Sequence, residues 1–467
     1  MTKASIVRSR LTLIVALGAA VTSVLAAAPA AQAKPGRHVL NGSRPSWLAK
    51  AKATGSAIGP YQSAIVRIGF GLTWLLFLLR EWPNRSTLYG PDSAWGFDLA
   101  KRLIAGNHAF TVLMWSDGRA WFEVVYAVAI LSSATMLLGW RTRTSALMFM
   151  VGVLSLQNRS VYMGDGGDNV VHIMAIYLAF TRCGQVWSLD SLRARRAARA
   201  AAVGEGAEDV DPEGSEKADP VTAAASPTRT PSGVDPVGIG LWTVLGAVLV
   251  VASLAGKLST GWGLIFWGCW IGQAVWWAVR RHAPGEPRTV LRIISNIVHN
   301  GAMLVIVVEV CLIYSTAGWY KIQGSRWQDG TALYYPLHLD DFTPWPALSH
   351  ALAGNGLMVM LITYGTVIVQ VAFPFTLFNR RVKNVLLVAM MLEHASIAIV
   401  LGLPFFSLAM IAADAVFLPT GFLRWAGERL VRAARGKREW PALVIHEQRS
   451  GDTAEPVVGT PPSSAVT

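Results

Sequence analysis

The chain has 467 residues, of which 53% are hydrophobic and only 15% charged, with a formal net charge of +13 and a mean hydropathy of +0.41. This composition excludes an ordinary soluble multidomain protein and places the chain in the polytopic membrane class, which its 19 tryptophans also fit. Its basic residues gather between apolar runs, so the charge reads as a positive-inside pattern and nucleic-acid binding is set aside.

Residues 1–33 look like a secretory signal: Lys3, Arg8 and Arg10, an apolar stretch, then Ala31-Gln32-Ala33 as a cleavage site. A polar segment, 34–60, follows. Apolar runs then predict membrane spans at 61–79, 121–138, 145–156, 170–180, 237–254, 262–279, 293–315, 357–378, 385–401 and 405–418. The expected fold is therefore all-α, a polytopic transmembrane helical bundle of about ten spans.

Alternate connections carry the bases: Arg141 and Arg143, Arg193 and Arg196, Arg280 and Arg288, Arg380 and Lys383, Arg424 and Arg432. Those loops belong on the cytoplasmic side of a bacterial plasma membrane, with both ends of the bundle inside and Lys321 facing outward. A cleaved signal would instead leave Lys34 outside; the charge map, resting on more loops, is preferred for the bundle. Residues 183–236 are basic, then rich in Pro, Ser, Ala and acids, and read as a disordered cytoplasmic linker. The remaining division is a first half-bundle 61–182, an added hairpin 237–280, a second half-bundle 281–425 and a cytoplasmic tail 426–467.

Cys183, Cys269 and Cys311 form no C-x-x-C pair, so neither a disulfide framework nor a zinc site is expected. Ionisable residues inside spans are costly and mark candidate sites: His172, Glu309, and the adjacent Glu393 and His394. Structural pairing across helices explains them equally well. In the outer loop, His338, Asp340 and Asp341 match no strong metal signature, and no metal is expected.

Two stretches on the outer side carry the chemistry. In the first, Ala317-Gly318-Trp319-Tyr320 ends the apolar helix and Lys321 follows just past its last turn. An amine against an apolar wall is a costly cation and can serve as a neutral base, although a lysine there also snorkels to the surface. The second is Asp165-Gly166-Gly167-Asp168-Asn169, where glycines allow a tight turn and present two carboxylates and an amide. Asp168 is also placed to cap the helix at 170–180.

The run Ala317, Gly318, Lys321, Trp327, Asp329, Gly330 and the D-G-G-D-N run together resemble the bacterial HTTM (horizontally transferred transmembrane) proteins, and through them the membrane domain of vitamin K-dependent γ-glutamyl carboxylase. The resemblance implies Lys321 as the base that deprotonates a reduced quinone, menaquinone or vitamin K-like, with Asn169 as an orienting amide. The matching runs put Asp165, Asp168 and Trp327 at the expected substrate site, to which the costly in-span Glu309, His172 and His394 are added as candidates. Val170 stands where the carboxylase has a histidine, and His172 is the nearest one here. An accessory role in maturing or exporting a secreted peptide is the alternative, because HTTM proteins also resemble a bacterial membrane protein of that kind.

Overall fold

The computed structural model describes residues 56–204, 235–283 and 285–435, and no strand occurs among them. The signal-like 1–33, nearly all of the 34–60 segment, the acidic part of the linker and most of the tail lie outside the described residues. The main helices are α1 Pro60–Glu81, α2 Phe97–Asn107, α3 Arg119–Leu138, α4 Thr142–Arg159, α5 Gly166–Leu178, α6 Leu189–Gly204 and α7 Pro236–Leu254. There follow α8 Thr260–His282, α9 Glu286–Gln323, α10 Pro346–Ala353, α11 Gly356–Ala372, α12 Arg380–Val400, α13 Pro404–Asp414 and α14 Thr420–Arg435.

All ten predicted apolar runs are helical. Among the described residues, six helices are long and apolar enough to cross a membrane, and a seventh is added if the bent pair α13 and α14 is one span. The smaller number has a physical cause. The 13 residues of α5 and 11 of α13 rise only about 20 and 17 Å, short of a hydrocarbon core of roughly 30 Å. Polar residues occupy both ends of α4, and the tryptophans, glycines and Gln273 of α8 lower its mean hydropathy.

Side-chain caps start several helices. Asp235 accepts from the Gly238 N–H on α7, Asn355 from Leu357 and Met358 on α11, and Asn379 from Arg381 and Val382 on α12. Proline in the first turn helps set α1, α7, α9 and α13, where its missing N–H costs nothing.

At one end of the bundle, wholly buried Arg67 of α1 donates to four carbonyls: Met136 (2.5 Å), Leu137 (2.8 Å), Trp187 (2.6 Å) and Cys183 (3.2 Å). The first two are carbonyls at the close of α3, where Met136 also accepts from the Gly139 N–H, so the guanidinium adds a helix C-cap from another chain segment. Asp190 accepts from the Arg141 and Thr142 N–H groups, each at 2.8 Å, and starts α4 in the same way. His299 takes the Arg182 N–H on Nδ1 at 3.0 Å, so its Nε2 carries the proton donated to the Ile58 carbonyl at 2.9 Å. These bonds gather the starts of α1, α4 and α6 and the first part of α9 with the ends of α3 and α5. Arg141, Arg143 and Arg182 all stand there, and this is the basic end.

The opposite end is strapped down by the 82–118 connection. Buried Arg159 donates to the Trp95 carbonyl at 2.8 Å, Asn158 to Phe110 at 2.9 Å and Ser160 to Leu88 at 2.8 Å. The hairpin α7–α8 stands at the periphery, and no residue of α8 is buried. Its two helices are pinned by Trp242 and Trp270, whose rings stack at 4.0 Å while each indole N–H donates to the other's carbonyl.

The expectation for α9 needs correction. It runs 38 residues, about 57 Å, and continues through Gly318 to Gln323. Gly318 is no breaker: a Cβ there would stand 2.5 Å from the Val371 side chain, so the glycine lets α9 and α11 approach. Lys321 therefore belongs to the last turn of α9 and not to the loop beyond it.

Candidate functional site

The close approach of α9 and α11 sets Lys321 against Gln370. The lysine Nζ donates to Gln370 Oε1 at 2.6 Å, and Gln370 Nε2 donates to Glu393 Oε1 at 2.6 Å. Gln370 is only 5% exposed, so its amide is fixed by these two bonds and separates the amine from the carboxylate. The indole of Trp327, on the turn Ser325–Gln328, lies 5.2 Å from the amine, which completes a cation–π contact.

One residue further along α12, His394 enters a second network. Its Nε2 is 3.0 Å from the Tyr314 hydroxyl, which donates to Asp414 Oδ1 at 2.9 Å. Tyrosine has a single proton; with that proton on Asp414, the His394 Nε2–H must be the donor to the phenol oxygen. Asp414 is fully buried and His394 is 2% exposed, while Asp414 Oδ2 and His394 Nδ1 have no hydrogen-bond partner among the described residues.

The second motif forms a capping box. Asp165, not Asp168, is the N-cap of α5. Its side chain accepts from the Asp168 N–H at 3.0 Å, and the Asp168 carboxylate accepts from the Asp165 N–H at 2.9 Å. Burial pushes the Asp168 carboxyl up to about 6. Asn169 is exposed and donates to the Asp165 carbonyl at 3.2 Å, within the same cap. His172 bonds to Gln157 at 3.0 Å, and Gln157 in turn donates to the Asp168 carbonyl.

Phe406 stands between the two motifs. Its ring lies 5.7 Å from that of His394, and a Cβ on Gly167 would meet its Cα at 2.6 Å. A cavity of about 140 Å³ opens beside it, lined by Arg80, Asp165, Asp168 and the Gly402–Phe406 turn. A second, apolar cavity of about 290 Å³ lies between the 344–348 loop and Ile399.

The predicted residues thus divide. Lys321 and Trp327 come together with Glu393 through Gln370, His394 joins Tyr314 and Asp414 instead, and Asp165, Asp168, Asn169 and His172 form a separate group across Phe406. Glu309 interacts with Tyr177 and sits about 18 Å along α9 from Lys321. Asp329 and Gly330 make a turn: Asp329 accepts from the Thr331 N–H and hydroxyl, which holds its carboxyl below the usual range, and Gly330 has φ +76°. His338 Nδ1 bonds to the Tyr334 carbonyl at 2.7 Å, and no group of three or more metal-ligating side chains occurs among the described residues.

The sequence reading does not name Gln370, Tyr314 or Asp414. Each is a polar residue in an otherwise apolar run, VIVQVAF, CLIYSTA and IAADAVF, and that interruption was the available signal. Compared with known proteins, the chain matches no family model, no curated protein and no solved structure.

Proposed function

We propose that this is an integral multi-span plasma-membrane protein, related to the HTTM proteins, whose Lys321 acts as a base on a membrane-borne reduced quinone. The basic end faces the cytoplasm, and Lys321 works at the outer face. What supports this most is the Lys321–Gln370–Glu393 chain. The amine is half-buried, touches an amide and an indole, and has its nearest carboxylate held one residue away.

The donor set suits a quinol, which presents a hydroxyl on a flat apolar ring: Lys321 Nζ would take the hydroxyl proton and the Trp327 face would hold the ring. When bound, the quinol would supply the reducing equivalents, so that quinol and oxygen give quinone epoxide and water. Gln370 keeps the amine aimed, and the Trp327 ring stands against it.

The test is to incubate the purified protein in lipid nanodiscs with reduced menaquinone and oxygen and to assay quinone epoxide. Product that is lost in Lys321→Ala supports the reading, and no product from the native chain removes it.

The second reading is an accessory protein that binds a secreted peptide at the same end. It is favoured by the exposed aromatic side chains there, Tyr162, Trp319, Tyr320 and Trp345. Full biological activity in Lys321→Ala would select it.

A further inference from the structure

Helix α14 is built unlike the spans. Its sequence, TGFLRWAGERLVRAAR, places Phe422, Leu423, Ala426 and Leu430 on one side of the helix and Arg424, Glu428 and Arg432 on the other, with Trp425 beside Arg432 and Arg429 between Trp425 and Phe422. Only one edge of the apolar half meets the bundle. Leu423 is buried against Tyr61, Ala64 and Val186, and Gly427 lies against the Trp187 ring. Phe422, Trp425 and Leu430 stay 48%, 50% and 72% exposed.

Its depth and direction are fixed by other contacts. Gln62, in the first turn of α1, donates to the Leu418 carbonyl at 2.8 Å and to the Thr420 hydroxyl at 3.0 Å. Helix α14 therefore sits level with the mouth of a candidate span, at the basic end. The chain bends by 117° between α13 and α14, 27° past a right angle, so α14 runs across the end of the bundle.

We infer that α14 is an in-plane anchor: it beds Phe422, Trp425 and Leu430 among lipid acyl chains and sets Arg429 and Arg432 against anionic phospholipid headgroups. The occupant follows from the place of the helix and its mixture of side chains. Exposed Phe422, Trp425 and Leu430 stand level with the first turn of a candidate span, and Arg429 and Arg432 border the Trp425 ring, from which long arginine stems reach the headgroups. Arg429 also covers the Trp425 ring at 5.3 Å, which keeps a cation directly above an aromatic group, as at a headgroup boundary. A protein partner would instead have to match three separated apolar side chains rimmed by like charges. This inference rests on the apolar spans and does not depend on the chemistry at the opposite end.

The test uses the full chain in nanodiscs of phosphatidylcholine alone or of phosphatidylcholine with phosphatidylglycerol. Amide hydrogen exchange over 420–433 is followed by mass spectrometry. Exchange should slow roughly fivefold in the anionic discs, with α1 unchanged. High salt should erase the difference, and so should Arg429→Glu with Arg432→Glu. Both side chains are exposed; should the charge reversal disturb folding, Arg429→Gln with Arg432→Gln must show the same loss. Equal exchange in the two compositions overturns the proposal. Protection that appears only when a cell extract is added assigns the face to a protein and overturns it as well.

Discussion

Glu393 and His394 are neighbours on α12 yet lead into different networks, Glu393 to Gln370 and Lys321, His394 to Tyr314 and Asp414. Consecutive helical side chains leave the axis about 100° apart, so one turn of α12 serves two partners. The Lys321 branch is half-buried near the helix ends, whereas the Tyr314 branch lies in the interior, and removing Tyr314 tests what the interior branch is worth. In Tyr314→Phe, Asp414 loses its Oδ1 donor while Oδ2 has none among the described residues, and His394 loses its Nε2 partner. A loss of about 1–3 kcal/mol is expected, read from the unfolding midpoint in detergent. A double-mutant cycle with Asp414→Asn should show coupling; additive losses would mean the bonds carry no shared energy.

The amide between Lys321 and Glu393 has a consequence that needs no substrate. Gln370→Glu puts a carboxylate in direct contact with the amine, and a direct ion pair in a poorly solvated site holds a lysine in its ammonium form. Labelling of Lys321 by an amine-reactive ester should slow about tenfold, the scale of a one-unit titration shift, as quantified by peptide mass spectrometry. Gln370→Leu removes the spacer without adding charge and should not slow labelling to that degree. Equal rates in all three proteins would show that Gln370 does not govern the amine.

Much of the architecture was legible. Apolar runs fixed where the ten helical segments lie, and the alternation of bases assigned the Asp165 loop and Lys321 to one end, which the antiparallel pairing of α5 with α9 bears out: Arg182 meets His299 while Tyr177 meets Glu309. The span count was less legible, because α13 is an apolar run whose destination is the protein interior: Ala409 and Ala413 are wholly buried. Gly318 reads as a helix stop by residue type, but its packing against Val371 depends on a helix about 50 residues away. The site bonds are equally non-local. The pairs Lys321–Gln370, Gln370–Glu393, Tyr314–His394 and Tyr314–Asp414 are separated by 49, 23, 80 and 100 residues. A polar residue in an apolar run announces that a partner exists and carries no information about which one.

Arg67 offers the sharpest stability test at the basic end. Arg67→Met keeps much of the apolar stem but leaves the Met136, Leu137, Cys183 and Trp187 carbonyls without their shared donor. The expected loss is at least about 3 kcal/mol. Arg67→Lys should recover only part of it, since an ammonium cannot fork to four acceptors. Equal unfolding midpoints for the native and Met chains would mean that the carbonyls find other donors.

Asp168 makes stability depend on pH. Its folded carboxyl is pushed up to about 6, chiefly by burial, from an ordinary 3.8 in the unfolded chain. Between those values the folded chain binds the extra proton, so this residue's contribution to stability rises as the pH falls from above 6 towards 4 and is flat outside that window. Because the side chain is partly exposed, the gain is on the order of 1 kcal/mol. Asp168→Asn keeps an oxygen to accept the Asp165 N–H, so the capping box survives while the titration is removed. The native chain should therefore gain stability over the Asn variant on going from about pH 7.5 to about pH 4.5, measured as the change in the difference of their unfolding midpoints. A difference that shrinks on acidification would require the carboxylate, and not the acid, to be the form the fold prefers, and would point to a cationic partner for Asp168 in the cavity beside Arg80.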